Sequence, residues 1–186
     1  IVVQKFGGTS VGTVDRIDSV AEIIKNASKS NKIVVVVSAM GGETNRLVDL
    51  AKAFGDDPDK REFDALVSTG ETVSSALLTM ALHSKGVKAK SFSASQISMR
   101  TTSSYSKAKI LDVDAKKILD VVENDTIPII TGFQGVTEGG DVTTLGRGGS
   151  DTTAVAIAAQ IAATRCDIFT DVDGIFTTDP GVVPNL

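Results

Sequence analysis

The spacing of apolar and polar positions changes period repeatedly along the chain. "IVVQKF" (1–6) and "KIVVVVSAM" (32–40) are short β-branched runs that read as strands, and the second lacks polar alternation, which predicts a strand covered on both faces. Between them, "VDRIDSVAEIIKNAS" (14–28) sets Ile17, Val20, Ala21 and Ile24 at helical spacing. "ETNRLVDLAKAF" (43–54) predicts an amphipathic helix ending at Gly55, followed by the polar loop "GDDPD". "REFDALVSTGETVSSALLTMALHSKG" (61–86) reads as two helical pieces broken near Gly70, and "VKAKSFS" starts another strand. From Ser93 to Lys109 the Ser/Thr-rich chain has weak periodicity and reads as a loop excursion. "DAKKILDVVEN" then predicts a helix, "TIPIITGF" a strand, and "FQGVTEGGDVTTL" a hairpin turning at "EGGD". A helix over about 150–164, the strand "CDIFTDV" and the segment "GIFTTDP" follow. Strands alternating with helices imply right-handed crossovers and an α/β fold with a mostly parallel sheet covered on both faces, hairpins being local antiparallel additions.

Bulk properties narrow the partners. With 186 residues, 41% of them apolar, and a mean hydropathy of +0.13, the chain can build a sizeable core as a compact globule. No apolar run is longer than the six residues Ala154 to Ala159, and these, like Ile33 to Val37, are far below the roughly 20 residues of a membrane span. The lone cysteine, Cys166, excludes an internal disulfide and suits a reducing cytoplasm. A net charge of −4 gives no broad attraction to nucleic acid or to an anionic membrane, so an anionic ligand has to be held by a few isolated cations. The chain opens on Ile1 rather than methionine and closes on the turn-like "DPGVVPNL", which reads as a piece of a longer polypeptide.

Isolated cations do stand beside glycines at predicted strand ends, where open α/β sheets bind ligands. "KFGGTS" (5–10) offers Gly7 and Gly8 for close backbone approach to a phosphate and Lys5 as a point charge; a strand-end turn explains it equally well. The Walker pattern fails because Thr13 occupies the lysine position. "SAMGGETN" supplies Ser38, Gly41, Gly42 and Thr44, although a turn with Thr44 as helix cap accounts for most of it. Glu71 in "STGETVS" falls at a helix start, where the dipole alone favours a carboxylate. "TLGRGGSDTTAVAIAA" (144–159) carries more small polar residues than a helix start needs, since Ser150, Asp151 or Thr152 alone would cap it. Arg147 beside Gly148 and Gly149 at that helix start makes a receptor for a carboxylate or phosphate. "FTDVDGIFTTDP" adds Thr170, Asp171 and Asp173 after the last strand, as turn acids or ligand contacts. His83, the one histidine, sits late in a predicted helix and reads as a surface residue.

Taken together, "KFGGTSVG", "VVVVSAMGGETNRL", "STGE", "TGFQG", "TLGRGGSDTTA" and "TDVDGIFTTDP" resemble the aspartate kinases of the amino acid kinase family, in the right order through essentially all 186 residues. The resemblance implies a three-layer α/β/α sandwich and transfer of the ATP γ-phosphoryl to the side-chain carboxylate of L-aspartate, the first step toward lysine, threonine and methionine. By position, Lys5, Phe6, Gly7 and Gly8 match the phosphate-holding motif; Ser38, Thr44, Glu71, Arg147, Gly148, Gly149 and Ser150 match substrate positions; Asp151 matches the acid that orders the catalytic lysine. Thr170, Asp171 and the segment from Phe176 through Asp179 to Gly181 match the nucleotide-binding region, with Gly181 where the family usually has arginine and Phe176 where it has tyrosine. ATP with magnesium is the implied cofactor pair, the metal shared among phosphate oxygens with no protein ligands assigned. Regulatory ACT modules and homo-oligomer assembly are implied for the longer polypeptide, with residues 1–186 as an incomplete catalytic domain. "GRGGSDTTA" and "STGE" favour aspartate over the acceptors of sister kinases; a binding module without turnover is the reading from another class.

Overall fold

The computed structural model describes residues 1–170. In chain order its elements are β1 (Val2–Phe6), α1 (Val14–Ser28), β2 (Ile33–Val37), α2 (Glu43–Lys52), α3 (Lys60–Val67), α4 (Thr69–Ser84), β3 (Ala89–Phe92), β4 (Arg100–Thr101) and β5 (Ile110–Asp112). Then come α5 (Ala115–Glu123), β6 (Ile127–Thr131), β7 (Gln134–Val136), β8 (Val142–Thr144), α6 (Gly149–Gln160) and β9 (Arg165–Phe169). Five strands pair in the order β3-β6-β2-β1-β9, every pairing parallel.

Alternation along these strands builds two cores. Val2 and Phe6 of β1, and Ile33, Val35 and Val37 of β2, pack with Ile17, Val20 and Ile24 of α1 and Leu78 and Leu82 of α4. Val3 of β1, and Val34 and Val36 of β2, face the other way onto Ile118 and Val122 of α5 and Ala154 and Ile157 of α6. The result is the expected three-layer α/β/α arrangement, with β2 buried at all five residues. Burying each β2 valine contributes about 2 kcal/mol relative to leaving it exposed. The helix after β1 lies on one face and the helix before β9 on the other, so the sheet's switch point falls between β1 and β9, and the crevice opens at the carboxyl ends of its strands.

Four details differ from the pattern-based expectations. The excursion from Ser93 to Lys109 contains β4, which pairs with β5 and, in parallel, with β7; with the predicted hairpin it forms a second sheet in the order β5-β4-β7-β8. Strands of two or three residues are too short for their alternation to show in sequence. The break between α3 and α4 falls at Ser68, and Gly70 lies inside α4. A Cβ at Gly70 would stand 2.8 Å from that of Ala39, so its glycine admits the loop after β2 rather than ending a helix. The last helix runs Gly149–Gln160, and the strand before the family's nucleotide segment starts at Arg165. The stretch Lys60–Ser84 has the length and hydropathy of a membrane span, yet half of its most apolar window is buried in the fold and α4 packs on α1 and the sheet. His83 is exposed as expected, its Nε2 2.8 Å from the Ala89 carbonyl oxygen.

Candidate functional site

The loops after β1 and β2 meet backbone to backbone. A Cβ on Gly8 would come within 3.0 Å of the Ala39 carbonyl oxygen, and one on Gly12 within 3.2 Å of the Gly8 carbonyl oxygen. Arg16 holds the first loop by donating to the Thr9 carbonyl at 2.6 Å, and Thr13 caps α1 by accepting from the Arg16 amide. Thr13 in the would-be Walker lysine position is therefore a helix cap. Above these loops opens a cavity of about 290 Å³. Its walls are Lys5 and Gly8 from β1 and its loop, Ser38 to Gly42 and Thr44 after β2, Glu71 of α4, Phe133, and Gly146 with Gly148 to Asp151 around the start of α6.

Besides α4, which follows α3 directly through Ser68, two helices point uncapped first turns at this space. Gly42 (φ +81°) precedes α2 and Gly148 (φ +69°) precedes α6, both left-handed, and neither end has a side-chain capping bond. By contrast α1, α3 and α5 are capped by Thr13, Asp59 and Asp114. The cap roles open to Thr44, Ser150, Asp151 and Thr152 are thus not taken up; Thr44, Ser150 and Asp151 line the cavity instead. Helix starts without capping side chains leave amide N–H groups and the positive end of the dipole for an anion.

Lys5 reaches the cavity because period-2 alternation sends it, with Val3, to the α6 face. Its ammonium pairs with Asp151 at 2.7 Å, the lysine side chain 10% exposed and the aspartate 48%. The same Nζ lies 3.3 Å from where a Gly7 Cβ would be, so Gly7 leaves the ammonium room. Glu71, 3% exposed, accepts from the Ala39 amide at 3.2 Å through Oε1, while Oε2 is buried without a hydrogen bond. Burial pushes its carboxyl up to about 7, against the lowering pull of two backbone amides. Glu71 lines the cavity, and its buried oxygen without a donor leaves an acceptor that a cationic or hydrogen-bond-donating group would satisfy.

Most of the residues picked from sequence converge here: Lys5, Gly8, Ser38, Thr44, Glu71, Gly148, Gly149, Ser150 and Asp151 share one cavity. Arg147 is exposed between the lining glycines 146 and 148. Phe6 is not in the lining; its buried ring stacks on Phe169 with centroids 4.6 Å apart, because alternation turns it to the α1 face. Gly7 bonds back to the Phe169 carbonyl, and exposed Thr170 borders a separate depression with Phe6 and Phe169. Asp171, Asp173, Phe176, Asp179 and Gly181 lie outside the described residues.

Gly132 and Phe133 belong to the quoted "TGFQG", yet the sequence alone assigns neither a place in the site. Phe133 takes a left-handed φ of +66°, its ring 2.7 Å from where a Gly149 Cβ would project, and a Cβ on Gly132 would sit 2.6 Å from the Ser150 hydroxyl. Gly132→Ala is expected to displace Ser150 and to destabilise the fold by about 1–3 kcal/mol, read as a lower denaturation midpoint. An unchanged midpoint would show that Ser150 yields freely. No group of three or more His, Cys, Asp or Glu side chains placed to hold a metal occurs among the described residues.

Comparison with known proteins bears on the family and the fold. The chain is 55% identical over 185 residues to an aspartate kinase of Pseudomonas putida, covering 99% of this chain and 45% of that one. It superposes on the crystal structure of Synechocystis aspartate kinase with a TM-score of 0.83 and 46% identity, over 99% of this chain and 30% of that one. On Escherichia coli aspartokinase III in complex with aspartate and ADP, in its R-state, the TM-score is 0.89 at 32% identity, over 98% of this chain and 52% of that one. The chain thus spans less than half the length of the curated relatives it matches. The amino acid kinase family model matches residues 1–186 throughout, and the chain belongs to the amino acid kinase family.

Proposed function

We propose that this chain is the substrate-binding catalytic part of an ATP-dependent aspartate kinase, making 4-phospho-L-aspartate. The observation that carries the reading is one cavity holding a fixed cation, Lys5 on Asp151, beside a buried carboxylate with an unpartnered oxygen, Glu71, between two uncapped helix starts. The acceptor of such a reaction is a carboxylate with a pKa near 4, already nucleophilic at neutral pH, so no general base is required. Its oxygen attacks the γ-phosphorus, the new O–P bond forms as the bond to the bridging oxygen breaks, and ADP leaves with that electron pair. No proton is transferred. Catalysis reduces to alignment and to compensation of negative charge.

The roles follow from position. Lys5 meets the transferring phosphoryl group, with Gly7 and Gly8 giving the phosphates backbone access, and Asp151 keeps the lysine aimed. The Glu71 carboxylate takes the substrate ammonium, which separates an amino acid from a plain dicarboxylate. Ser38, Thr44 and Ser150 donate to the substrate, and Arg147, exposed beside the lining rather than part of it, is the cation that would take its α-carboxylate in bidentate fashion. Magnesium, when bound with nucleotide, adds charge neutralisation on the phosphate oxygens. Completion of the nucleotide site, ACT modules and homo-oligomer assembly belong on this reading to the full-length polypeptide, placed in the cytoplasm.

Hydroxylamine trapping tests the assignment in the full-length protein. Aspartate-dependent hydroxamate with ATP and magnesium is the expected result. Nucleotide binding without hydroxamate would identify a binding module, and product only with another acceptor a sister kinase. In the same assay Arg147→Ala should raise the aspartate KM roughly tenfold or more with a smaller change in kcat. Unchanged aspartate affinity with lost ATP binding would remove Arg147 from the acceptor side.

A further inference from the structure

Asp64 is the least exposed acid in the described structure, at 0%, and nothing in the phosphoryl-transfer reading uses it. It sits on α3, and its carboxylate accepts four hydrogen bonds from two distant segments. Oδ2 takes the amides of Ser106 and Thr144, each at 2.8 Å; Oδ1 takes the hydroxyls of Ser106 at 3.0 Å and Thr144 at 2.9 Å. Every donor is neutral, so the carboxylate is held by hydrogen bonds rather than by an ion pair.

Both segments govern the glycine loop of the cavity. Thr144 is the last residue of β8, two before Gly146, and its carbonyl accepts from Ala108 at 2.9 Å. Ser106 is held at a left-handed φ of +63°, uncommon for serine, and its carbonyl oxygen lies 3.3 Å from where a Gly146 Cβ would project. On the other side, α3 runs through Ser68 into α4, whose first turn carries Glu71. Ser68 is itself tied to β7 of the second sheet, its carbonyl accepting from Gln134 Nε2 at 2.5 Å. Asp64 therefore joins the two walls that the proposed function assigns to the amino acid, the Glu71 helix and the Gly146–Ser150 loop. Lys5 and Gly8 depend instead on the parallel pairing of β1 with β2 and β9.

We propose that Asp64 is a positioning residue for the acceptor half of the site, locking the glycine loop against the helix that bears Glu71. This rests on the aspartate kinase reading. Asp64→Asn in the full-length protein keeps one acceptor oxygen and puts an NH2 group in place of the other, so the donors that faced that oxygen lose it and the hydroxyls must reverse to accept. The expected result is an aspartate KM raised roughly ten- to hundredfold, with the ATP KM within about twofold. Amide hydrogen exchange over 145–150 in the ligand-free protein should quicken at least tenfold, a readout independent of which acceptor is phosphorylated. Failure of the wild type to make hydroxamate from aspartate would count against the functional reading, whereas unchanged exchange over 145–150 in a folded Asp64→Asn protein overturns the positioning role. Equal weakening of both substrates also overturns it. If Asp64→Asn does not fold, the double variant Ser106→Ala, Thr144→Val removes two of the four donors and keeps both amides. A selective rise in aspartate KM, reversed when Thr144→Ser replaces Thr144→Val, supports the proposal; no selective rise overturns it.

Discussion

Glu71→Gln is expected to weaken aspartate binding about 100-fold at pH 8 while stabilising the ligand-free protein. Both effects come from the same burial. Loss of hydration on burial raises the Glu71 carboxyl from 4.5 to about 7. The unfolded chain keeps the ordinary value, so between pH 4.5 and 7 the folded state binds the extra proton. Stability contributed by this group is then present at low pH and lost as pH rises through about 7, by roughly 3 kcal/mol, since each tenfold change in proton affinity is worth about 1.4 kcal/mol. Glutamine carries no charge and escapes that loss, although its amide hydrogens stand where Oε2 now has no partner. A net gain of about 1–2 kcal/mol at pH 8, shrinking towards pH 5, should appear in denaturant titrations. Aspartate binding runs with the opposite sign, because the ammonium needs the ionised carboxylate. The aspartate KM should fall about tenfold per pH unit on approaching pH 7 from below and then level, and the slope should vanish in Glu71→Gln. A wild-type aspartate KM flat from about pH 5.5 to 8 would take Glu71 away from the ammonium.

The same physics explains what the sequence could and could not disclose. The sheet was legible because β2 is an unbroken β-branched run and α1 shows helical spacing, both patterns set by burial on known faces. Lys5 was legible as a cation beside two glycines, and its direction towards α6 follows from strand alternation once the sheet is known. Phe6 shared that motif but not the direction; adjacent strand positions face opposite layers, which carries its ring to Phe169. Thr44, Ser150 and Asp151 stayed ambiguous between cap and ligand, since both uses favour the same residue types, and only left-handed Gly42 and Gly148 at the helix starts show that the cap roles are not taken up. Asp64 was hidden for a different reason. Its four donors lie 42 and 80 residues further along the chain. The one local hint is an acid three residues before Val67, a spacing that places both on the buried face of α3.

Lys5→Ala should lower kcat about a thousandfold with much smaller changes in either KM. That magnitude follows from the charge removed. A lysine about 4 Å from the transferring group, at an effective dielectric near 20, is worth about 4 kcal/mol, and nearly three powers of ten in rate follow. Such a value requires the ammonium to be fixed before the phosphate arrives, because a mobile charge would spend the gain on reorganisation. Three features fix it: pairing of β1 at Lys5 with Val36 and Ile168 on either side, the 10% exposure of the side chain, and the 2.7 Å contact with Asp151 at the start of α6. Asp151→Asn keeps a polar partner but loses the charge that aims the lysine, so its expected loss is smaller, about tenfold in kcat. Lys5→Arg should rescue poorly, since the guanidinium fork is wider than an ammonium and the Lys5 side chain is only 10% exposed, with its Nζ already 2.7 Å from Asp151. The three variants together separate positioned charge from charge alone. If Lys5→Arg restored wild-type turnover, or if Lys5→Ala reduced only nucleotide affinity, phosphoryl transfer would owe its rate to some other group in the cavity.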